Sequence, residues 1–382
     1  MTKKVAIVGV GYITARTVSP ELSYKEITFD AATRAYNDAG ISHNDVQSFV
    51  TCAEDFNEGT SIFDEYTPDQ LGAVLKPMHT VGGDGIHGIA DAYMQILSGI
   101  VDVVVVESHS KASNILTPNH ILNYAIDPIY NRPLNLNPHY IAGLEMRRFL
   151  YESGTTEEEC AAVVAKNRCN ALKNPSGCYG ENMTKDDVLR SKPLFAPLKE
   201  AEISGTSDTA IVVVLASEEK ARKLKSKPIW IRGISWYNDT PTLESRSWGT
   251  LPYVEKAAKR VYEMAGIRNP RKEFNLAEVD DTYSYKELQH LEALGIFGKG
   301  EAGKATTKGL TAHNGEIPVN VSGGSSGCGN MLEATGLFKI AELVQQLRGI
   351  AGERQVADAK LALAQSWRGI PTTSAAVAVL SD

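Results

Sequence analysis

One eleven-residue segment occurs twice in this chain of 382 residues. Residues 31–41 read AATRAYNDAGI and residues 257–267 read AAKRVYEMAGI, identical at seven of eleven positions. Each copy has the apolar spacing of a helix and closes on a glycine, Gly40 or Gly266, where a left-handed C-cap belongs. The flanking elements recur in the same order. A short apolar strand follows each copy, at 46–52 and 274–279. Farther on come a glycine-rich turn, an amphipathic helix and a buried strand, at 82–85, 86–98 and 101–106, and again at 323–329, 331–347 and 360–365. A recurrence of whole elements in fixed order predicts one α/β unit duplicated and fused. The halves are expected at 1–227 and 228–382.

Between the strands of the first half, residues 114–197 are rich in proline and asparagine and lack a regular sheet pattern. A segment of that kind is expected to be an inserted loop domain that shapes a substrate site or an interface. The charged run 217–227 reads as a helix joining the two halves.

Charge and cysteine usage narrow the functional classes. Lys plus Arg number 39 against 46 Asp plus Glu, a net charge of −7 without a block of like charges, so neither nucleic acid nor an anionic membrane surface is the expected partner. No apolar run approaches the roughly 18 to 20 residues of a membrane span, and no cleavable signal is apparent, which predicts a cytoplasmic protein. The five cysteines, at 52, 160, 169, 178 and 328, contain no Cys-x-x-Cys pair. They are expected to be thiols, with no disulfide framework and no metal in this chain. Gly9-x-Gly11 lacks the rest of a dinucleotide fingerprint and reads as a strand-to-loop turn.

Several motifs resemble the thiolase superfamily. Ser204-Gly205-Thr206-Ser207-Asp208-Thr209-Ala210 and the strand after it resemble the family's Ser-Asp-Gly-Ala strand. Val321-Ser322-Gly323-Gly324, then Gly329 and Ala334-Thr335-Gly336, resembles its C-terminal Gly-His-Pro-x-Gly-Ala-Thr-Gly loop. Residues 281–288 and 167–174 look most like the archaeal and sterol-carrier-type branch, which includes partner-dependent members such as benzoylsuccinyl-CoA thiolase. The resemblance implies a thiolase fold: two duplicated βαβ-type halves in a layered α/β/α/β/α arrangement with an inserted loop domain. It also implies a homodimer formed through the first half, coenzyme A as a substrate, and a small zinc-ribbon and OB-fold partner protein. In the family the insertion holds CoA; here it carries Lys166, Arg168, Lys173, Lys185 and Lys192 for the 3′-phosphate ADP end.

The catalytic positions depart from the family. Its nucleophilic cysteine belongs on the first half's glycine-rich turn, at a helix N-terminus that favours a thiolate. Here the turn runs Thr80-Val81-Gly82-Gly83-Asp84-Gly85-Ile86-His87 and has no cysteine. The family histidine falls on Asn330, and the second cysteine falls on Ser366 or Trp367. Asn330 can donate a hydrogen bond to a thioester or enolate oxygen but cannot move protons. Cys328, two residues earlier, is a substitute nucleophile, although simple alternation points it away from the cleft. Asp280 and Asp281 follow the second half's strand, and Asp281 is taken as the cleft carboxylate that acts as acid or base. Tyr283 and His87 are further acid–base candidates, with aromatic lining and helix capping as the plainer readings; Asp84 is expected to cap its helix. Gly82, Gly83, Gly323 and Gly324 are expected to let backbone N–H groups crowd a substrate oxygen, and Ser204 joins them as a CoA contact by resemblance.

Three functions stay open at this point. The first is a thiolase-like acyltransferase that cleaves or forms a C–C bond of a 3-oxoacyl-CoA without the usual Cys/His/Cys residues. The second is a retro-aldolase on a 3-hydroxyacyl-CoA, and the third a non-catalytic subunit of a complex.

Overall fold

The computed structural model describes residues 4–54, 57, 62–370 and 374–382. Nine strands form one sheet: β1 (Val5–Tyr12), β2 (Ser48–Cys52), β3 (Met78–Val81), β4 (Val103–Ser110), β5 (Thr209–Ser217), β6 (Ile229–Asn238), β7 (Leu276–Glu278), β8 (Leu361–Trp367) and β9 (Ser374–Ser381). Their order is β3-β2-β4-β5-β1-β6-β9-β8-β7. In the first half β2 runs parallel to β3 and β4, while β5 is antiparallel to β4 and β1. The second half repeats this: β7 is parallel to β8, β9 is antiparallel to β8 and β6, and a parallel bridge from Ala277 to Val319 stands where β3 stands in the first half. The halves join through β1 and β6.

Among the described residues seven helices have ten or more residues, α1 (Tyr24–Ala39), α2 (Gly85–Ser98), α3 (Pro138–Ser153), α4 (Glu157–Ala171), α5 (Pro252–Ala265), α6 (Ser284–Ala293) and α7 (Thr335–Arg348), and of these α1, α2, α5 and α7 pack on the sheet. The repeated segments form the ends of α1 and α5, and both closing glycines adopt the left-handed conformation, Gly40 at φ 69° and Gly266 at φ 76°. Alternation along the strands decides the layers. Val5 and Ile7 of β1, with Ile211, Val213 and Leu215 of β5, face a core shared with α2 and α7. Ala6, Val8, Val212 and Val214 face the opposite way, against α1. In the second half Val377 and Val379 turn outward to α5, while Ala376, Ala378 and Leu380 join the shared core. Thus α2 and α7, one from each half, form the central layer, and α1 and α5 cover the outer faces. Among the described residues no helix is long and apolar enough to cross a membrane.

Two local expectations change. The insertion is not irregular throughout, because it contains α3 and α4. Pro138 occupies the first turn of α3, where its missing N–H costs nothing, so this proline starts a helix instead of breaking one. The run 217–227 is helical only over Glu218–Ala221, its charges serving short-range pairs such as Arg222 with Glu218 and Lys223 with Glu219.

Candidate active site

A cavity of about 350 Å³ opens where the two halves and the insertion meet. From the second half come Asp280, Thr282 and Tyr283 after β7, the loop from Asn330 to Thr335 before α7, and Trp367 at the end of β8. The first half gives Asp84 at the start of α2 and the stretch Ser204–Thr206 before β5. The insertion closes one side with Ile121, Leu122 and His139.

The walls are stitched together through the backbone. Asn330 N donates to Gly205 O at 2.7 Å, and Ser207 N donates back to Asn330 O at 3.1 Å. Ser204 N donates to Thr282 O at 2.9 Å. One strand-like segment of the first half therefore fixes both site loops of the second. Asn330 also holds its own turn, since its Oδ1 accepts from Leu332 N at 2.8 Å, and Leu332 sits at φ 50°, a conformation costly for a leucine. With the oxygen engaged, the amide nitrogen is left as the donor; its one hydrogen bond among the described residues goes to Thr282 Oγ1, 3.4 Å away. The turn-forming role and the donor role belong to opposite ends of the same amide.

Tyr283 and His139 meet on the cavity wall. The Tyr283 hydroxyl lies 3.1 Å from His139 Nδ1. Burial, reinforced by Glu145 and Asp280, pushes the phenol well above its usual range, while burial lowers the imidazole's affinity for a proton. The pair therefore rests as neutral phenol and neutral imidazole. Stacking on Tyr285 and an edge contact with Trp367 hold the Tyr283 ring in place. Sequence reasoning missed His139 because no motif marks that part of the insertion; its signal was a histidine in the first turn after a capping Asn137.

Several expected residues lie elsewhere. Asp281 is fully buried and turned from the cavity, accepting from Ser325 N at 2.6 Å, Ser326 N at 3.0 Å and Asn167 Nδ2 at 2.7 Å. Burial and the neighbouring Glu287 raise its carboxyl to about 6, but its contacts make it the anchor of the short helix Gly324–Cys328. Asp280 is the member of the pair that lines the cavity, where its carboxylate meets Lys339 at 3.4 Å. Gly323 (φ 107°) and Gly324 (φ 58°) serve this anchor too: a Cβ on Gly324 would stand 2.5 Å from the Asp281 carboxylate, and one on Gly323 would meet Ala171. They are packing glycines, away from the cavity wall.

Cys328 is wholly buried with its thiol directed at Ser322 O, 3.2 Å away, and burial raises its pKa well above the ordinary thiol value. That is the opposite of the setting a nucleophile needs. His87 is likewise buried outside the cavity, its Nε2 3.0 Å from Ser374 Oγ. Its ring packs against Gly83, where a Cβ would approach to 3.2 Å, while Gly82 opens toward Arg368; neither glycine lines the cavity. Lys166 is committed to Val319 O and Glu287, so it is not free for a phosphate. Lys173, Lys185 and Lys192 are exposed. Of the expected set, the structure brings Asn330, Tyr283 and Ser204 together.

Residues 237–382 match a family model described as thiolase C-terminal domain-like. The chain is 29% identical over 384 residues to an acetyl-CoA acetyltransferase of Methanothermobacter thermautotrophicus, covering 98% of each chain. It is 29% identical over 383 residues to sterol carrier protein 2 of Oryctolagus cuniculus, covering 94% of this chain and 69% of that protein. Over its whole length the chain resembles the thiolase superfamily, in its sterol-carrier-protein-2-type branch. This thiolase-type chain is also 27% identical over 398 residues to 17-hydroxy-3-oxo-4-pregnene-20-carboxyl-CoA lyase of Mycobacterium tuberculosis, covering 98% of each. Among solved structures, the Ltp2-ChsH2(DUF35) aldolase superposes with a TM-score of 0.85 at 24% identity, covering 99% of this chain and 97% of that one. An SCP2-thiolase-like protein type 1 from Mycobacterium smegmatis gives 0.72 at 17% identity, covering 99% and 76%. The architecture is thus a thiolase fold, and the family's chemistry concerns CoA thioesters.

Proposed function

We propose that this thiolase-type chain breaks or forms a carbon–carbon bond beside a CoA thioester by an aldol-type route, with no acyl-cysteine intermediate. The observation that carries this reading is the Tyr283–His139 pair, 3.1 Å apart, in a cavity whose wall includes none of the five cysteines. A retro-aldol step needs a base for the 3-hydroxyl proton and a donor for the thioester oxygen, which gains charge as the bond breaks. In the Nε2–H tautomer of His139, the phenolic oxygen takes the hydroxyl proton while the phenol's own proton passes to Nδ1. The Asn330 amide nitrogen holds the developing enolate oxygen. The lyase and aldolase names of two similar proteins point the same way.

A second reading, thiolytic acyl transfer to CoA, is favoured by the relatives named acetyl-CoA acetyltransferase. The two differ in their need for a second thiol. On the aldol reading a 3-hydroxyacyl-CoA is cleaved to an acyl-CoA and a carbonyl compound without added CoA. On the thiolytic reading only a 3-oxoacyl-CoA is cleaved, and only with free CoA. Chromatography of CoA products from the two incubations separates them, and product from neither substrate removes both.

We also propose a homodimer joined through the first half, and a small partner protein. The exposed apolar side chains of Val74 and Leu75 beside the edge strand β3 support the former, and the two-component name of the Ltp2-ChsH2(DUF35) aldolase supports the latter. Light scattering of the chain, alone and with proteins from its gene neighbourhood, tests both.

A further inference from the structure

Asp84 joins the two central helices. It is the N-cap of α2, and its Oδ1 accepts from Ile86 N at 3.1 Å. Its Oδ2 accepts from Gly336 N at 2.9 Å, in the first turn of α7. One carboxylate therefore spans the first turns of the two central helices, one from each half, and it lines the cavity beside Asn330 and Tyr283. The chain makes room for it: a Cβ on Gly336 would stand 1.7 Å from Asp84 Oδ1, so any side chain at 336 would displace the carboxylate.

Helix capping accounts for the two N–H contacts but not for a carboxylate placed on the wall of a cavity while only 3% exposed. Burial is costly for the ionised form and dominates there, raising the carboxyl to about 6 even though Lys339, Ser366 and the Ile86 N–H oppose the rise. The charged and titratable groups facing it are Lys339 from α7, Asp280 after β7 and Cys52 from β2.

We propose that Asp84 is a catalytic residue of this site, the group that moves the proton on the carbon next to the thioester. The inference rests on the aldol-type reading above. In the cleavage direction Tyr283 takes the 3-hydroxyl proton and passes its own to His139. The Cα–Cβ bond breaks, its electron pair passes to Cα as the thioester enolate, and Cβ becomes the carbonyl carbon. The Asp84 carboxylic acid gives its proton to Cα, releasing an acyl-CoA, and water restores the acid while accepting the proton held by His139. In the synthetic direction the Asp84 carboxylate removes the Cα proton.

The test is deuterium exchange into propionyl-CoA in D₂O, followed by mass spectrometry, which needs proton transfer at Cα but no carbon–carbon chemistry. The wild-type chain, with any co-purifying protein retained, is expected to exchange. Its rate should rise with pH through about 6 and then level off, as the carboxylate form accumulates. Asp84→Asn is expected to lose about 10² to 10⁴ of that rate, the usual contribution of a general acid or base. Unchanged exchange in Asp84→Asn overturns the proposal. Should that variant fail to fold, the wild-type profile decides: a rate independent of pH from 5 to 8, or no exchange at all, also overturns it. Cleavage of a 3-hydroxyacyl-CoA is measured in parallel. Cleavage without exchange removes Asp84 from the mechanism and leaves the aldol reading standing, whereas exchange without cleavage supports Asp84 and removes the aldol reading.

Discussion

The hydroxyl of Tyr283 and the Nδ1 of His139 meet at 3.1 Å although 144 positions separate them in the chain. One follows β7 of the second half and the other opens α3 of the insertion, so the pair forms only when the insertion seats on the cavity. Replacing Tyr283 with Phe keeps the ring contacts with Tyr285 and Trp367 and removes only the oxygen. Turnover of a 3-hydroxyacyl-CoA is expected to fall about 10² to 10⁴ with little change in the Michaelis constant. His139→Ala should fall comparably, and the double variant no further than the worse single one, because the two act as a unit. Additive losses would separate their roles.

Asn330 allows its two ends to be told apart. Asn330→Asp keeps an oxygen for Leu332 N but has no amide donor for the substrate. If the donor matters, turnover drops by about 10² to 10³ in both Asn330→Asp and Asn330→Ala, while thermal stability falls mainly in the alanine variant. Turnover retained in Asn330→Asp would leave Asn330 as a turn former.

The duplicated plan was readable because it is written in local terms: apolar periodicity and a closing glycine specify a helix and its end wherever they occur. The cavity was less readable because its geometry depends on single-residue parity and on distant chain segments. Asp280 and Asp281 are adjacent and chemically alike, and which one reaches the cavity is decided by the turn after β7. There Asp280 N donates to Gln365 Oε1 at 2.9 Å, and Asp281 swings to the first turn of Gly324–Cys328. Likewise, Asp84 was legible as a helix cap from its position, but its bond to Gly336 spans 252 positions and has no local signature. For Cys328, alternation pointed the thiol away from the cleft, whereas the backbone there is a short helix and the thiol is buried with its pKa raised.

His87 predicts a pH dependence of stability. Burial, with the Arg368 charge adding to it, lowers the imidazole from 6.5 to about 4, so the folded chain keeps it neutral. As pH falls from 6.5 toward 4 the unfolded chain takes up a proton that the folded chain refuses, and stability is lost through that window. The raised carboxyls of Asp84 and Asp281 bias stability in the opposite direction below pH 6, so the comparison is between wild type and His87→Gln. The urea midpoint at pH 4.5, taken relative to that at pH 7, should be higher in the variant than in the wild type. An equal drop in both proteins would show that His87 is protonated in the folded state.

The absence of a covalent step is the central claim, and intact-protein mass spectrometry during turnover tests it most directly. Cys52, Cys160 and Cys328 are buried, and Cys169, although exposed, lies outside the cavity wall, as does the half-buried Cys178. The account predicts that the 41.4 kDa chain, quenched with acid while converting a 3-hydroxyacyl-CoA or 3-oxoacyl-CoA, keeps its unmodified mass, and that Cys328→Ser retains most of the activity. An acyl adduct mapped to Cys328 or any other cysteine, accumulating and decaying at the rate of turnover, would contradict the account and establish a two-step acyl-enzyme cycle in its place.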